Sequence, residues 1–457
     1  MKKKHIEQIA TLYHPSSLAI FGASDDSSKL GYELVRGFVE MGYPGQLYPI
    51  NPSGSKSIMG LPAYRNLKDI RKEVVLALIT TPPHTIAEII KDCVEKGVKG
   101  IIVFSAPSGE LDSSLLDAIR LAKSSGTRIL GPNSIGLHCP SSGLAFYTGY
   151  AKKSAPISFI AHSTSMASLF IASIVERGLG CHKAVVMGSE WDLTWTDFLE
   201  YLGQDDEIEI IAGYLEGIRD GNRFLEIART ISTKKPFFIV KGGVSEAGAV
   251  FTQSHTGSMA GSQRIWEAVL KQANVIGTKD IRDMVDHVLL FKYLKDRRVG
   301  PRIGIVTGVG GLTVNTVDFC EKHKLQIPEL SPATKNAVKA LIPPYGTSFR
   351  NPIDVSVAAE RNLSLYTRPI QILDHSDDVD VVVCVHEGDF RGDELAEEIV
   401  NKNLNSKKPL VVILMGASPQ NTRGIKILLE AGIPAFSESR NAIKALASLI
   451  RWKERLP

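Results

Sequence analysis

Leu18-Ala19-Ile20-Phe21-Gly22-Ala23-Ser24-Asp25-Asp26-Ser27-Ser28-Lys29-Leu30-Gly31 decides the fold of this chain. Four apolar residues end at a glycine, a polar turn follows, and apolar residues then recur at helical spacing over 32–41. A run that short, closed by a glycine-led turn and an amphipathic helix, reads as strand, turn and helix. The pattern recurs. Strands are predicted over 46–50, 74–79, 100–104 and 128–130, each ending in turn chemistry such as Asn51-Pro52, Thr80-Thr81-Pro82-Pro83 or Gly131-Pro132-Asn133. Short strands alternating with amphipathic helices imply parallel sheets covered on both faces.

At about 150 residues per domain, 457 residues suggest three domains. The first is expected over 1–150. Further strands over 157–160, 184–187, 208–215 and 237–240 define a second over 151–296. The charged, Gly/Pro-marked segment Lys295-Asp296-Arg297-Arg298-Val299-Gly300-Pro301-Arg302 marks its end, and strands over 303–307, 379–385 and 410–415 make a third over 297–457. The expected class is α/β, with three consecutive doubly wound parallel-sheet domains.

Composition narrows the function classes. The chain is 44% hydrophobic and 22% charged with a formal net charge of +4, and no block of Lys or Arg is interleaved with aromatics. Nucleic acid is not an expected partner. The basic Met1-Lys2-Lys3-Lys4-His5 is not followed by the apolar run of a signal peptide, and the longest apolar runs are strand-length, so no membrane association and a cytoplasmic location are expected. Five cysteines (Cys93, Cys139, Cys181, Cys320, Cys384) form an odd count with no C-x-x-C pair. They read as small buried hydrophobes, with no disulfide framework and no metal site.

Ligands of doubly wound sheets bind beyond the carboxyl ends of the strands, where the polar loops gather. The first loop is not G-x-G-x-x-G, and Asn51 stands where a nicotinamide enzyme places an acidic residue, so a nicotinamide oxidoreductase is disfavoured. Lys29 suits a phosphate or a solvated helix start equally. In the second domain three strand ends carry polar loops: Ala161-His162-Ser163-Thr164-Ser165, then Glu216-Gly217, then Lys241-Gly242-Gly243 leading to Gln253-Ser254-His255-Thr256-Gly257-Ser258-Met259-Ala260-Gly261. A histidine in such a glycine-bounded loop is either a solvated turn residue or a group set to face an anion. A helix opening at Thr164 or Ser165 would aim its N–H groups at whatever His255 carries. The third domain repeats a glycine-rich turn at Gly308-Val309-Gly310-Gly311.

Five motifs in order, Ile20-Phe21-Gly22-Ala23-Ser24, Gly131-Pro132-Asn133, Tyr214-Leu215-Glu216-Gly217-Ile218, Ser254-His255-Thr256-Gly257-Ser258 and Asn351-Pro352-Ile353-Asp354, resemble the α chain of the NDP-forming acyl-CoA synthetases. This is the succinyl-CoA synthetase superfamily, in its ADP-forming acetyl-CoA synthetase branch. The resemblance implies a CoA-binding Rossmann-like domain followed by two flavodoxin-like ligase domains. It implies that a carboxylic acid is activated as an acyl phosphate, that the CoA thiol displaces phosphate, and that His255 carries the phosphoryl group while Glu216 orients it. It assigns CoA contacts to Gly22, Ala23, Ser24, Lys29, Asn51, Thr80, Thr81 and Pro82, with Pro132 and Asn133 over the pantetheine arm. Phosphate and acyl contacts fall to Ser163, Thr164, Ser165, Gly310 and Gly311. ATP/ADP and Mg2+ belong to an ATP-grasp β subunit, a separate chain in an α2β2 or higher heterooligomer; nothing in this chain reads as an ATP-grasp module.

The chain also departs from the family pattern. Ala161-His162-Ser163-Thr164-Ser165 stands where the family has Ser-Gln-Ser-Gly-Ala, Met187-Gly188-Ser189 where it has Leu-Gly-Asn, and Gly308-Val309-Gly310-Gly311 where it has Asn-Ala-Gly-Gly. Two readings follow. One is a ligase for a polar, dicarboxylic or sulfonated acid, with His162, Thr164, Ser165 and Ser189 supplying extra hydrogen bonds. The other is a catalytically diverged CoA or acyl-CoA sensor. Retention of both His255 and Glu216 favours the ligase.

Overall fold

The computed structural model describes residues 3–107, 111–150, 152–256, 261–308, 310–343, 347–356, 359, 361–387 and 391–456; for 253–256 it describes the backbone only. The chain falls into two compact units, Met1–Ile281 and Arg282–Pro457.

The first unit holds two sheets. Strands β1 (Ser17–Phe21), β2 (Gln46–Ile50), β3 (Leu76–Ile79), β4 (Gly100–Val103) and β5 (Arg128–Leu130) form an all-parallel sheet in the order β2-β1-β3-β4-β5. β1, β3, β4 and β5 are buried along their whole length, as expected of Ile/Leu/Val runs with both faces covered. Helix α1 (Leu30–Met41) follows the first polar turn and opens two residues before the expected Tyr32.

The second sheet contains β6 (Gly136–His138), β7 (Ile157–Ala161), β8 (Lys183–Val186), β9 (Ile210–Leu215), β10 (Phe237–Lys241) and β11 (Ile276–Thr278), in the order β11-β10-β9-β7-β8-β6. Its parallel core repeats the first sheet's winding, and β6 adds one antiparallel edge. That edge strand comes from within the expected first domain, 1–150, and closes the second sheet. Helix α2 (Thr164–Glu176) begins where expected, and α3 (Glu246–Thr256) follows β10.

The two sheets of this unit are stitched together at the start of β5. Arg128 donates from Nε and Nη2 to the two oxygens of Asp192, at 2.7 and 3.0 Å, and the Ile129 N–H donates to the same carboxylate. Bidentate geometry and burial of both partners make this pair specific in direction.

In the second unit β12 (Ile303–Thr307), β13 (Ile353–Asp354), β14 (Val381–Glu387), β15 (Leu410–Met415) and β16 (Ala435–Phe436) are parallel in the order β13-β12-β14-β15-β16. The winding is again that of the first sheet. The unit begins at Arg282, before the charged 295–302 segment, because the helix Ile281–Leu294 packs there: Asn441 Nδ2 donates to Asp286 at 2.8 Å, and His287 Nε2 lies 3.2 Å from Ser448 Oγ. All five cysteines are buried with free thiols; burial pushes Cys384 up to about 12. Among the described residues no helix is long and apolar enough to cross a membrane.

Candidate active site

Each sheet reverses its winding between its first and third strands, and the loops after those strands frame a crevice. In the first sheet the crevice lies between Gly22 and Thr80. Gly22 has φ +88, and a Cβ there would fall 2.6 Å from Thr80 Oγ1, so only glycine fits the turn. The Thr80 N–H and hydroxyl both donate to the Phe21 carbonyl, at 3.0 and 2.7 Å. Asn51 donates from Nδ2 to the Ala23 carbonyl at 3.0 Å and accepts the Ser53 N–H at 2.9 Å, bracing the loop after β1 from the end of β2. Ala23 and Ser24 are buried, Thr81 is tied to Thr85 at 2.7 Å, and Lys29 holds its ammonium largely in solvent, 3.8 Å from Asp26. A tight backbone turn with an exposed cation beside it can face an anion.

Pro132 and Asn133 link this crevice to the second sheet. The Ser189 N–H donates to the Pro132 carbonyl at 2.9 Å and the Trp191 N–H to the Gly131 carbonyl at 2.8 Å. Gly188, at φ +61, is pressed against them, and a Cβ there would lie 1.8 Å from Pro132 O.

The second crevice is built differently. Glu216, which follows β9, is 6% exposed, and the Tyr214 side chain lies near its carboxylate. Burial first, then the neighbouring Glu216 charge, pushes Tyr214 up to about 12. Lys241 ends β10, donates to the Glu216 carbonyl at 2.7 Å and sits 5.6 Å from the centre of the Trp266 ring. Burial pushes its ammonium down to about 8 against the opposing pull of Glu216. His162, after β7, is buried between the two ends of this site. Its Nδ1 accepts the Glu216 N–H at 3.2 Å, and its Nε2 lies 3.3 Å from Glu190 Oε1. Across the crevice α2 starts at Thr164 with no side-chain cap on its first turn, and the Ser163 and Ser165 hydroxyls lie 2.9 Å apart. The uncapped N–H groups of that turn can receive an anion.

Three expectations meet this geometry. Residue 255 is not in a loop: α3 runs through it, nucleated by Ser245, whose Oγ accepts the Gly248 N–H at 3.1 Å, and by the Ala247–Phe251 run. Gly257, Ser258, Met259 and Ala260, the side chain of His255, Val309 and 344–346 lie outside the described residues. His162 cannot bond a substrate, since it is 3% exposed with both ring nitrogens engaged; the sequence reading of it as an acyl-pocket donor is corrected. In the second unit, by itself, α4 (Gly310–Lys322) opens on exposed Gly310 and Gly311, with Asp354 Oδ2 3.9 Å from where a Gly310 Cβ would stand.

Glu190, Tyr214, Lys241 and Arg219 were not assigned a role from sequence. Lys241 was visible only as part of a polar strand-end loop, and nothing local separates Glu190, which is buried at φ +58, from its neighbour Asp192. Among the described residues His182, Asp205 and Glu207 gather donor atoms, but the Lys183 ammonium already pairs with Asp205 and supplies the compensating charge.

Known proteins match the chain over nearly its full length. Residues 16–140 match a CoA binding domain and 154–291 a succinyl-CoA ligase like flavodoxin domain. The α subunit of ADP-forming acetate–CoA ligase II of Pyrococcus furiosus is 32% identical over 96% of each chain, and that of ligase I is 31% identical over 98% of each. ADP-forming 4-hydroxybutyrate–CoA ligase of Nitrosopumilus maritimus is 28% identical over 96% of this chain and 64% of its own. A dinucleotide-forming acetyl-coenzyme A synthetase 1 of Candidatus Korarchaeum cryptofilum, solved with phosphate and ADP, superposes with a TM-score of 0.86 at 28% identity, covering 98% of this chain and 97% of the other. With the order of its crevices, its sheet winding and near full-length identity above 30% all agreeing, the chain belongs to the NDP-forming acyl-CoA synthetases, in the family of ADP-forming acetate–CoA ligase α subunits.

Proposed function

We propose that this chain is the α subunit of an ADP-forming acid:CoA ligase, converting a carboxylic acid, ATP and CoA to acyl-CoA, ADP and phosphate. The observation that carries the reading is the buried Glu216 carboxylate, beside Tyr214 and with the Lys241 ammonium on its backbone carbonyl, at the strand ends from which the chain runs into the helix bearing His255. A carboxylate resists thiol attack because its leaving group would be an oxide. A ring nitrogen of His255 takes the γ-phosphoryl group of ATP, releasing ADP. A carboxylate oxygen of the acid then attacks that phosphorus and frees the imidazole. The CoA thiolate adds to the carbonyl of the resulting acyl phosphate, and phosphate departs with the C–O electron pair.

Glu216 accepts the proton on the other ring nitrogen and stabilises the charged imidazole, the usual means of making a histidine a nucleophile at neutral pH. The open first turn of α2, with Ser163, Thr164 and Ser165, holds the phosphate and acyl group, and the Gly310-Gly311 helix start offers a second anion-facing turn. CoA contacts the loop from Gly22 to Lys29, Asn51, Thr80, Thr81, Pro82, Pro132 and Asn133. ATP and Mg2+ are held by an ATP-grasp β partner in a heterooligomer of at least α2β2. With His162 withdrawn into the protein, preference for a polar acid rests on the hydroxyls of Ser163, Thr164, Ser165 and Ser189.

The complex with its β partner, given ATP labelled in the γ position, is expected to acquire acid-labile, base-stable label that is absent in His255→Ala. Label persisting in that variant sinks the assignment. A panel of acids assayed for CoA-dependent ADP release is expected to favour a hydroxy or dicarboxylic acid, and a clear preference for acetate refutes the polar pocket. CoA binding with no turnover of any acid in the assembled complex identifies the sensor instead.

A further inference from the structure

Glu216 is held in place by a chain of buried polar groups that the proposed chemistry does not itself use. A ring nitrogen that accepts an N–H carries no proton, so the Glu216 N–H bond to His162 Nδ1 fixes the proton of His162 on Nε2. That proton faces Glu190 Oε1 at 3.3 Å. Glu190 is 5% exposed; the Trp195 N–H donates to its Oε1 at 2.6 Å, and Arg219 Nε lies 3.5 Å from its Oε2. Arg219 also donates to the Ser189 carbonyl at 2.8 Å, so the chain reaches from the Ser189 loop after β8 to the end of β9. A non-glycine residue at φ +58 persists only where its surroundings over-determine it, and these contacts do so for Glu190.

The position of this chain matters more than its stability. His162 and Glu216 occupy the switch point of the second sheet, and the His162 N–H donates back to the Tyr214 carbonyl at 3.2 Å. His162 therefore holds the residues on either side of Leu215, Tyr214 through its backbone N–H and Glu216 through its ring, and the ring bond fixes the backbone from which the Glu216 carboxylate projects. We propose that His162 and Glu190 are positioning residues for the Glu216 carboxylate, holding it in the orientation in which it receives a histidine proton. The proposal rests on the reading of Glu216 as that acceptor.

Four variants of the assembled complex separate the two. Steady-state turnover, rate of labelling from γ-labelled ATP and melting temperature are measured for Glu216→Gln, His162→Leu, His162→Gln and Glu190→Ala. His162→Leu is expected to lower kcat and the labelling rate about 10- to 100-fold, as for a misplaced catalytic group, with KM for CoA unchanged within about twofold. A glutamine can accept the Glu216 N–H through its carbonyl and donate to Glu190 through its amide, so His162→Gln is expected to recover to within about fivefold of the parent. If His162→Leu does not fold, Glu190→Ala carries the test: it leaves the Nδ1 acceptor in place and removes the partner of Nε2 together with those of the Trp195 N–H and Arg219, with an expected kcat loss of about tenfold. Wild-type kcat in His162→Leu or Glu190→Ala while Glu216→Gln is impaired overturns the positioning role. Equal losses in His162→Leu and His162→Gln with parallel falls in melting temperature overturn it too. A wild-type rate in Glu216→Gln instead removes the acceptor reading, and the positioning proposal with it.

Discussion

The first two sheets share one winding, and at the same topological point each sets two residues against one another: Gly22 and Thr80 in the first, His162 and Glu216 in the second. Around the first pair, the side chains that shape the crevice are neutral and spent on backbone groups, as with Thr80 on Phe21 and Asn51 on Ala23. Around the second, Glu190, Glu216 and His162 are titratable and buried, and Lys241 is half-buried. A neutral, braced turn offers N–H groups to a ligand without taking part in chemistry. Buried polar groups orient one another's protons, which is what group transfer needs. The fold supplies the crevice, and the residues after two strands decide what happens in it.

Gly188→Ala attacks the seam between the two crevices and should have the largest effect. Its Cβ would overlap the Pro132 carbonyl at 1.8 Å in a backbone conformation at φ +61, so a loss of about 2–4 kcal/mol in unfolding free energy is expected, checked by denaturant titration. A stability within 0.5 kcal/mol or so of the parent would mean that the seam yields easily and that the crevices are independent. Asn51→Ala should be milder and confined to the first crevice. Losing the bond to Ala23 is worth about 1 kcal/mol, or roughly fivefold in CoA affinity by calorimetry, with phosphoryl labelling unchanged. A labelling defect in that variant would break the division of labour.

The smallest effect concerns pH. Burial lowers the Lys241 pKa to about 8, so its charge is lost as pH rises through that value, and phosphoryl transfer should decline above pH 8. In Lys241→Arg the decline should vanish, because guanidinium stays charged. The sign for stability is opposite. The unfolded chain, with lysine near its ordinary 10.5, binds more protons than the folded one between pH 8 and 10.5, so the burial cost of Lys241 is relieved as pH rises through that window. A flat rate profile in the parent would exclude Lys241 as a charge partner.

Much of the fold was legible in the sequence where strands are apolar runs buried on both faces. The expected 46–50, 128–130, 303–307 and 410–415 match β2, β5, β12 and β15 residue for residue. Strand ends were less so: 74–79 shrinks to Leu76–Ile79 because Val74 and Val75 are buried outside the ladder, with the Val75 N–H bonded to Ser17 Oγ instead. The edge strands β6, β11, β13 and β16 were missed, since their two or three residues carry no periodicity and, unlike the three of β5, do not continue a strand-turn-helix alternation. At the site, Glu216 was singled out by the Tyr214-Leu215-Glu216-Gly217-Ile218 motif of the family resemblance, since a carboxylate after an apolar strand is by itself an ordinary solvated turn residue. Glu190 was not, because its burial depends on Trp195, Arg219 and His162, which only folding brings to it.

The sequence alone determined the α/β class, the repeated strand-turn-helix units, the family and the order of the loops that gather at the strand ends, all of which are properties of local pattern. Only the tertiary structure decided which loop residues face the crevice and which are consumed in holding it. His162 shows the reason: in sequence it is a polar residue beside three hydroxyls, but once β7 and β9 are paired the Glu216 N–H and Glu190 saturate both its nitrogens. Hydrogen-bond satisfaction of a buried group is a property of the packed chain, not of its neighbours in sequence.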